Sequence, residues 1–160
     1  MEQKNITGYD KKYDIKEHPD IKGLQIIEGK NNFPISWLNQ QGYCEYQIYL
    51  EHMKGIKTPA TPEMTHGSDI HQQFEDIFKQ DATPATFEDA VEASKEKASM
   101  SRECFLIAPE YGIRGYIDEI WMKPDEIVII DDKPGRTPYP STMNQVRAYC
   151  LAFKSMTEDD

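Results

Sequence analysis

Cysteine is scarce in this sequence. Its three cysteines, Cys44, Cys104 and Cys150, are an odd number and lie far apart. This spacing excludes a dense disulfide framework and a local Cys-x-x-Cys metal knuckle. We expect each of the three to be a buried thiol, because free cysteine behaves in proteins as a small hydrophobic side chain.

Long apolar runs are also missing. No stretch of about 18 apolar residues occurs, and the polar amino terminus Met1–Asn5 lacks the apolar segment of a signal peptide. Hydrophobic residues make up 38% of the chain and charged residues 29%, with a mean hydropathy of -0.72. This composition is typical of a soluble protein, and we expect no membrane association and a cytoplasmic location.

Positive charge is in deficit. The chain has 18 Lys and Arg against 28 Asp and Glu, a formal charge of -10 at pH 7. This argues against simple binding of nucleic-acid phosphates, which depends on Lys and Arg displacing condensed counterions. The objection weakens if carboxylates hold divalent cations, or if acidic ends such as residues 158–160 lie away from a local basic track. Solubility alone is the alternative explanation of the charge.

Length and pattern predict one domain preceded by a polar arm. A chain of 160 residues can bury one core but not two comfortable ones. Residues 1–33 are polar with short apolar pieces such as 24–27, which predicts an extended arm with one short strand. Residues 34–160 carry the regular apolar patterns and are expected to form the domain.

Four helices are predicted from capping residues and from apolar residues at helical spacing. Ser36 can cap the first, Thr61 with Pro62 can start the second, and a capping box opens the third. The first would run from Ser36 to about Gly55, the second from Thr61, the third from Thr86 to about Met100, and the last over residues 141–153.

Between the third and the last helix the apolar pattern changes from helical spacing to alternation, which predicts strands. Turn residues at 109–112 and 123–126 separate the apolar stretches. We expect a three-stranded meander over residues 104–108, 113–122 and 126–132. Helices and strands together indicate an α/β protein.

Asp118, Asp131 and Lys133 form the candidate catalytic group. In a strand alternate side chains share a face, so Asp131 and Lys133 project together while the Asp132 side chain points away. Antiparallel pairing through the short turn at residues 124–125 brings Asp118 near Asp131. Two buried acids without a cation would repel each other, so the arrangement predicts a Mg²⁺ or Mn²⁺ site. The ammonium of Lys133 would lie near the attacking water of a hydrolytic reaction.

Further residues extend this site. Gly115 leaves room beside the two aspartates, and His71 on the second helix offers a nitrogen ligand, with Glu75 one turn further along the helix. Gln145 and Tyr149 share one face of the last helix. Alone, such patterns more often mark a salt bridge, a satisfied histidine or a packed tyrosine. Their order along the chain, in this context of helices and strands, predicts a metal site for phosphodiester hydrolysis.

These motifs resemble those of the PD-(D/E)XK nuclease superfamily, and specifically its RecB-like branch, which includes the CRISPR-associated adaptation exonucleases. The similarity spans roughly residues 33–154. In chain order, the stretch from Ile35 to Tyr46 is similar to the family's opening helix with its cysteine, Gly67-x-x-x-His71 to the first metal motif, Gly115-Tyr-Ile-Asp118 to the second, Ile130-Asp-Asp-Lys133-Pro-Gly135 to the third, and Gln145-x-x-x-Tyr149 to the nucleic-acid motif.

The resemblance implies a restriction-endonuclease-like fold, with a mixed β-sheet core flanked by helices. The implied metal ligands are His71, Asp118, Asp131 and the Asp132 carbonyl, with Glu75 as an additional ligand or water holder. The implied catalytic residues are Lys133, Asp118 and Asp131, and the implied DNA-binding residues are Gln145 and Tyr149. The implied activity is cleavage of DNA, single-stranded rather than duplex and from an end, dependent on Mg²⁺ or Mn²⁺. CRISPR spacer acquisition or DNA repair would be its setting, with CRISPR adaptation proteins or a helicase as partners.

The cysteines depart from the family pattern. The CRISPR-associated branch joins one cysteine near the start to three near the carboxyl terminus around a 4Fe-4S cluster, and only Cys44 matches here. Four thiolates normally hold such a cluster, so we expect none in this chain. Two alternatives to a deoxyribonuclease stay open at this point: an RNA nuclease, and a non-catalytic module that keeps the nuclease fold and binds a protein partner through its acidic surface.

Overall fold

A computed structural model describes residues 1–57, 62–133 and 139–158, which form a mixed α/β structure. The helices are α1 (Ser36–Tyr43), α2 (Glu45–Ile48), α3 (Pro62–Asp81), α4 (Phe87–Ser94) and α5 (Pro140–Thr157), with a π-helical turn at Tyr49–Met53 and a 3-10 turn at Pro109–Tyr111. The strands are β1 (Glu2–Ile6), β2 (Ile15–Glu17), β3 (Gln25–Ile27), β4 (Lys30–Pro34), β5 (Thr83–Ala85), β6 (Ser99–Ala108), β7 (Ile113–Met122) and β8 (Ile127–Ile130). Within these described ranges, no helix is both long and apolar enough to cross a bilayer.

The chain divides into two compact units. The first comprises Met1–Lys12, Ala60–Phe105 and Tyr116–Pro134, and the second comprises Tyr13–Pro59, Leu106–Gly115 and Gly135–Asp160. Strands β6 and β7 contribute residues to both units. The predicted division into an arm over residues 1–33 and a nuclease domain over residues 34–160 stays a prediction.

In the first unit, β1 lies between β5 and β6 and runs parallel to both. β7 and β8 form an antiparallel hairpin across a short turn, in which the backbone N–H of Lys123 donates to the carbonyl of Glu126. Apolar side chains that face away from water fill the core of this unit, because their burial removes apolar surface from solvent. They include Phe78, Phe87, Ala90, Cys104, Ile117, Ile120 and Met122.

In the second unit, β2, β3 and β4 form an antiparallel meander, and β4 pairs in parallel with the start of β7. Helix α1 packs on α5. The guanidinium of Arg114 joins these strands, donating to the Asn32 carbonyl at 2.6 Å and to the Gly23 carbonyl at 2.6 Å. Buried apolar residues of this unit include Leu24, Ile27, Ile35, Leu106, Ile107, Ile113, Ala152 and Phe153.

Residues 1–33 contain more strand than the sequence indicates. The short strand expected near residues 24–27 is present as β3, and β1, β2 and the first part of β4 lie in the same segment. Strand β1 was not predicted because its sequence is polar and its hydrogen-bonding partners lie far along the chain. Lys4 is paired with Thr83, and Glu2 with Ser99. Local apolar alternation cannot report such pairing.

The first predicted helix is interrupted. Ser36 is its first helical residue rather than its cap, and Ile35 takes the cap position without a side-chain hydrogen bond. The helix ends at Tyr43 because Cys44 is extended, with φ -162° and ψ 108°, and a second helical segment follows. The proposed cap of the second predicted helix, Thr61, lies outside the described residues.

The third predicted helix begins where expected and ends early. The Thr86 hydroxyl accepts a hydrogen bond from the backbone N–H of Asp89 at 3.2 Å, which confirms the predicted cap. Helix α4 ends at Ser94 instead of continuing to Met100, because Ser99 starts β6 and pairs with β1. Strand β6 is therefore longer than the predicted strand over residues 104–108.

The three cysteines are not alike. Cys104 is buried on β6, as expected, and burial raises its pKa to about 12. Cys44 and Cys150 are exposed, so the expectation of three buried thiols is wrong for these two. Cys44 is exposed because it stands at the extended break between α1 and α2, and Cys150 because it lies on an open face of α5.

Replacing Gly42 with Ala is expected to lower the free energy of unfolding by up to about 2 kcal/mol. A Cβ at position 42 would overlap the Cβ of Ser141 and lie 3.1 Å from the Ser141 Cα, so α1 and α5 would have to move apart. Overpacking of this kind costs roughly 1–3 kcal/mol, which exceeds the gain of about 1 kcal/mol in helix propensity. Urea denaturation measures the change. Gly8→Ala is the matched control, because no atom lies within 4 Å of its added Cβ, and an equal midpoint for both variants would contradict the close helix contact.

Candidate metal centre

The β7–β8 hairpin brings two carboxylates together. Its register pairs Glu119 with Ile130, and one further step places Asp118 opposite Asp131. Side chains directly opposite each other in an antiparallel pair share a face. Just beyond the strand, the backbone N–H of Asp132 donates a hydrogen bond to Asp118 Oδ2 at 2.8 Å. The predicted approach of Asp118 to Asp131 across the hairpin is therefore present.

Helix α3 adds an imidazole to this group. One ligand atom each of His71, Asp118 and Asp132 lies within 4.8 Å of the other two. His71 and Asp118 are half-buried and Asp132 is exposed. Oxygen ligands surround Mg²⁺ at about 2.0–2.1 Å, so small side-chain adjustments would bring these three atoms around one ion. One imidazole and two carboxylates also suit Mn²⁺.

Asp131 is the buried carboxyl beside this group. Its side chain is 4% exposed, its Oδ2 atom has no hydrogen-bond partner, and Lys133 Nζ lies 3.6 Å from that atom. Burial, together with the neighbouring Asp118 carboxyl, raises the pKa of Asp131 to about 6, although the Lys133 ammonium opposes both. A buried carboxylate without a full set of donors is costly, and a bound cation would compensate it.

Strand alternation predicted that the Asp132 side chain points away from the site. Its carboxylate instead lies close to His71 and Asp118. Strand β8 ends at Ile130, so alternation no longer governs residues 131–133. The Asp132 carboxylate joins His71 and Asp118, and its Oδ2 also lies 3.5 Å from Arg102 Nη2. The predicted ligand roles of Asp131 and of the Asp132 carbonyl stay predictions.

Two charged residues of this site escaped the sequence analysis. Arg102 is 11% exposed and pairs with Glu119 at 2.6 Å, which holds its guanidinium near Asp132. Glu103 lies next to it in β6, where burial and then Glu75 raise its pKa while His71 and Arg102 lower it. The sequence marks these two residues only as a charged pair directly before the predicted apolar strand, which does not indicate that they lie near the metal centre. The structure extends that strand back to include them.

Glu103 has an unusual backbone. Its φ of 51° lies in the left-handed region, which costs a residue other than glycine roughly 1–2 kcal/mol. Glu75, predicted as an extra ligand or water holder, forms an ion pair with Lys79 at 2.6 Å. The carboxylates of Glu75 and Glu103 thus lie on the His71 side of the candidate metal centre without joining its three closest ligands.

Gln145 and Tyr149 belong to the second unit and are buried. Each is 3% exposed, and Gln145 Nε2 lies 3.2 Å from the Tyr149 hydroxyl. Gly115 adjoins them: a Cβ there would lie 3.1 Å from Tyr149 Cε1 and 3.4 Å from Ile35 Cβ. The space at Gly115 is therefore filled by Tyr149 and Ile35, and the expectation that it leaves room beside the aspartates is wrong. DNA contact by Gln145 and Tyr149 stays a prediction.

The metal-free protein is expected to gain stability from Asp131→Asn as the pH rises. The pKa of Asp131 is about 6 in the folded chain against 3.8 when unperturbed, so the folded state binds this proton more tightly. The stability that this proton contributes to the folded protein is fully present below the unperturbed pKa of 3.8. It is lost as the pH rises through the folded-state pKa of about 6. Urea midpoints of both proteins in chelator, measured from about pH 4 to 7, should therefore diverge with pH. Asp125→Asn, in the exposed hairpin turn, should show a constant difference from the parent. A constant difference for Asp131→Asn would contradict the raised pKa.

Comparison with protein-family models, with curated proteins and with solved structures finds no match.

Proposed function

We propose that this chain is a divalent-metal-dependent deoxyribonuclease of the PD-(D/E)XK type, with a restriction-endonuclease-like fold. The observation that carries this proposal is the approach of His71, Asp118 and Asp132 to within 4.8 Å of one another beside the buried carboxyl of Asp131. Two features support a hydrolytic site over a plain cation site. Lys133 stands next to Asp131, and the buried Asp131 oxygen lacks a hydrogen-bond partner.

The chain's own residues would divide the work of phosphodiester hydrolysis. A bound Mg²⁺ or Mn²⁺ polarises a phosphoryl oxygen and lowers the pKa of a water molecule. Asp118 and Asp132 would hold that ion, with His71 as the nitrogen ligand. Lys133 is 38% exposed, so its ammonium can turn from Asp131 towards charge that develops on the phosphate. Asp131, whose pKa is about 6, would be ionised at neutral pH and could accept a proton.

The proposal extends to the substrate and the setting. We infer from the resemblance of the motifs that the substrate is DNA, single-stranded rather than duplex and cut from an end. A cytoplasmic role in CRISPR spacer acquisition or DNA repair, beside adaptation proteins or a helicase, belongs to the same proposal. Its DNA-binding residues would be Gln145 and Tyr149, which requires the helix that carries them to expose side chains that are now buried.

The decisive experiment is a cleavage assay. End-labelled single-stranded DNA, duplex DNA and RNA are incubated with the full chain in Mg²⁺, in Mn²⁺ or in chelator. The proposal expects DNA products with either metal and none in chelator, with single-stranded DNA cut faster than duplex. Products from RNA alone would identify a ribonuclease instead. No products under any condition would overturn the nuclease proposal.

One observation favours a second candidate, a non-catalytic module that binds a basic protein partner. The acidic excess is concentrated in the first unit, which has nine Lys and Arg against eighteen Asp and Glu, whereas the second has nine against ten. Such a surface can attract a positively charged partner over a distance. This candidate predicts no cleavage with any metal, together with partner binding that weakens steeply as salt is raised.

A further inference from the structure

Three tyrosines between residues 43 and 49 of the second unit are exposed. Tyr43, Tyr46 and Tyr49 have 86%, 62% and 39% of their surfaces open to solvent. The rings of Tyr46 and Tyr49 stack, with centroids 5.7 Å apart and planes inclined by 23°. Exposed aromatic surface of this extent commonly marks a binding site rather than a part of the core.

Neighbouring side chains of the same helical segment fix it to the protein. The His52 ring stacks on Trp37 with a centroid distance of 4.1 Å. Glu51 accepts hydrogen bonds from Gln40 Nε2 at 3.2 Å and from Gln47 Nε2 at 3.1 Å. These contacts hold the segment in place, so the tyrosines stand outward on an ordered support.

Cationic groups lie on the same segment and beside it. Lys54 Nζ is 5.6 Å from the centroid of the Tyr49 ring, within the range of a cation–π interaction. An open cavity of about 340 Å³ is lined by Lys22, Gly23, Glu51, His52 and Lys57. Both oxygens of the one carboxylate in this lining, Glu51, already accept hydrogen bonds from glutamine side chains. The lining thus carries two lysine ammonium groups against one carboxylate, which is held by neutral amide donors.

We propose that Tyr46 and Tyr49, with Lys22, Lys54 and Lys57, form a binding surface for single-stranded nucleic acid. Every base has a flat face that stacks on an aromatic ring, and every nucleotide carries a phosphate that attracts ammonium groups. In a duplex the base faces are covered by their neighbours, so stacking on exposed tyrosines selects unpaired strands. This inference goes beyond the proposed nuclease activity, because strand binding here needs neither metal nor cleavage.

The test is fluorescence anisotropy of a labelled oligothymidine of about 12 nucleotides, titrated with the full chain in chelator at low salt. The double variant Tyr46→Ala/Tyr49→Ala is expected to weaken binding by about 10- to 100-fold, since each stacked base contributes strongly to affinity. Tyr46→Phe/Tyr49→Phe keeps the rings and should bind nearly as the parent does. Tyr111→Ala removes an exposed tyrosine elsewhere in the second unit and should change nothing.

A second measurement separates phosphate contacts from stacking. The variant Lys22→Gln/Lys57→Gln should lower the slope of log affinity against log salt by about 1.4, because each phosphate contact on a single strand contributes about 0.7. Unchanged oligothymidine binding by a folded Tyr46→Ala/Tyr49→Ala protein would overturn the proposal. Absence of binding by the parent protein would overturn it as well and would indicate that a protein partner occupies this surface. The binding assay contains chelator, so it measures strand binding without cleavage. Its outcome therefore does not depend on whether the nuclease proposal holds.

Discussion

Asp118→Asn is expected to abolish metal-dependent cleavage, with a loss of at least about 10³-fold in rate, and to remove specific Mn²⁺ binding. Asp118 lies at the centre of the site, because it joins the group with His71 and Asp132 and also faces Asp131. An amide is a weaker ligand for a hard cation than a carboxylate. The remaining ligands would not hold the ion in the geometry that hydrolysis needs.

The same substitution should leave the metal-free protein folded. The amide oxygen of the new side chain can still accept the hydrogen bond that the backbone N–H of Asp132 now donates to Asp118 at 2.8 Å. One member of a repelling carboxyl pair is neutralised, so the melting temperature in chelator should be equal to or above that of the parent.

Thermal melting with and without Mn²⁺ reads both effects together. At a Mn²⁺ concentration about 100 times its Kd, the parent should gain about 2.7 kcal/mol, and the Asp118→Asn protein should gain almost nothing. Asp125→Asn changes an exposed aspartate in the nearby hairpin turn and should respond as the parent does. Mn²⁺ stabilisation of the Asp118→Asn protein equal to that of the parent would reject the metal centre. A collapse of its melting temperature in chelator would contradict the repulsion between the Asp118 and Asp131 carboxyls.

Lys133→Met is expected to lower the cleavage rate by about 10²- to 10³-fold while Mn²⁺ still binds. Methionine keeps much of the length of the side chain and removes its charge. Lys133 Nζ lies 3.6 Å from Asp131 and is the cation that opposes the raised pKa of that carboxyl. Its loss should therefore raise the pKa of Asp131 further, so metal binding should require a higher pH.

A pH profile separates the two roles of Lys133. If its ammonium stabilises charge on the reacting phosphate, the lost rate is not recovered at any pH. Recovery of the parent rate at higher pH would show that Lys133 only keeps Asp131 ionised, and would contradict a direct catalytic role. Lys123→Met is the matched control, because Lys123 pairs with Glu126 in the hairpin turn. Its profile should coincide with that of the parent.

Local signals in the sequence predicted the elements that depend on local interactions. The bounds of β7 agree with the predicted strand over residues 113–122, because apolar alternation and the turns at both ends are local features. The Thr86 cap was predicted for the same reason. The parallel pairing of β1 was missed, since it depends on segments that are distant in sequence.

The site divides along the same line. Hairpin geometry predicted that Asp118 approaches Asp131, as the register of β7 and β8 confirms. Lys133 Nζ lies 3.6 Å from Asp131, but strand alternation is not the reason, because β8 has already ended. The position of the Asp132 carboxylate was missed because β8 ends one residue before Asp131. The charges of Arg102 and Glu103 near it were missed because a strand that pairs with β1 and β7 delivers them. The spacing of residues along the sequence cannot predict that Arg102 and Glu103 lie near the candidate metal centre.

The left-handed backbone of Glu103 has a consequence for engineering this chain. Glycine adopts such a φ without steric cost, so Gly would relieve energy that Glu stores at this position. A laboratory selection for heat resistance alone would favour Glu103→Gly and discard a carboxylate that lies near His71. The protein would become more stable to heat, but the imidazole of His71 would lose a neighbouring negative charge.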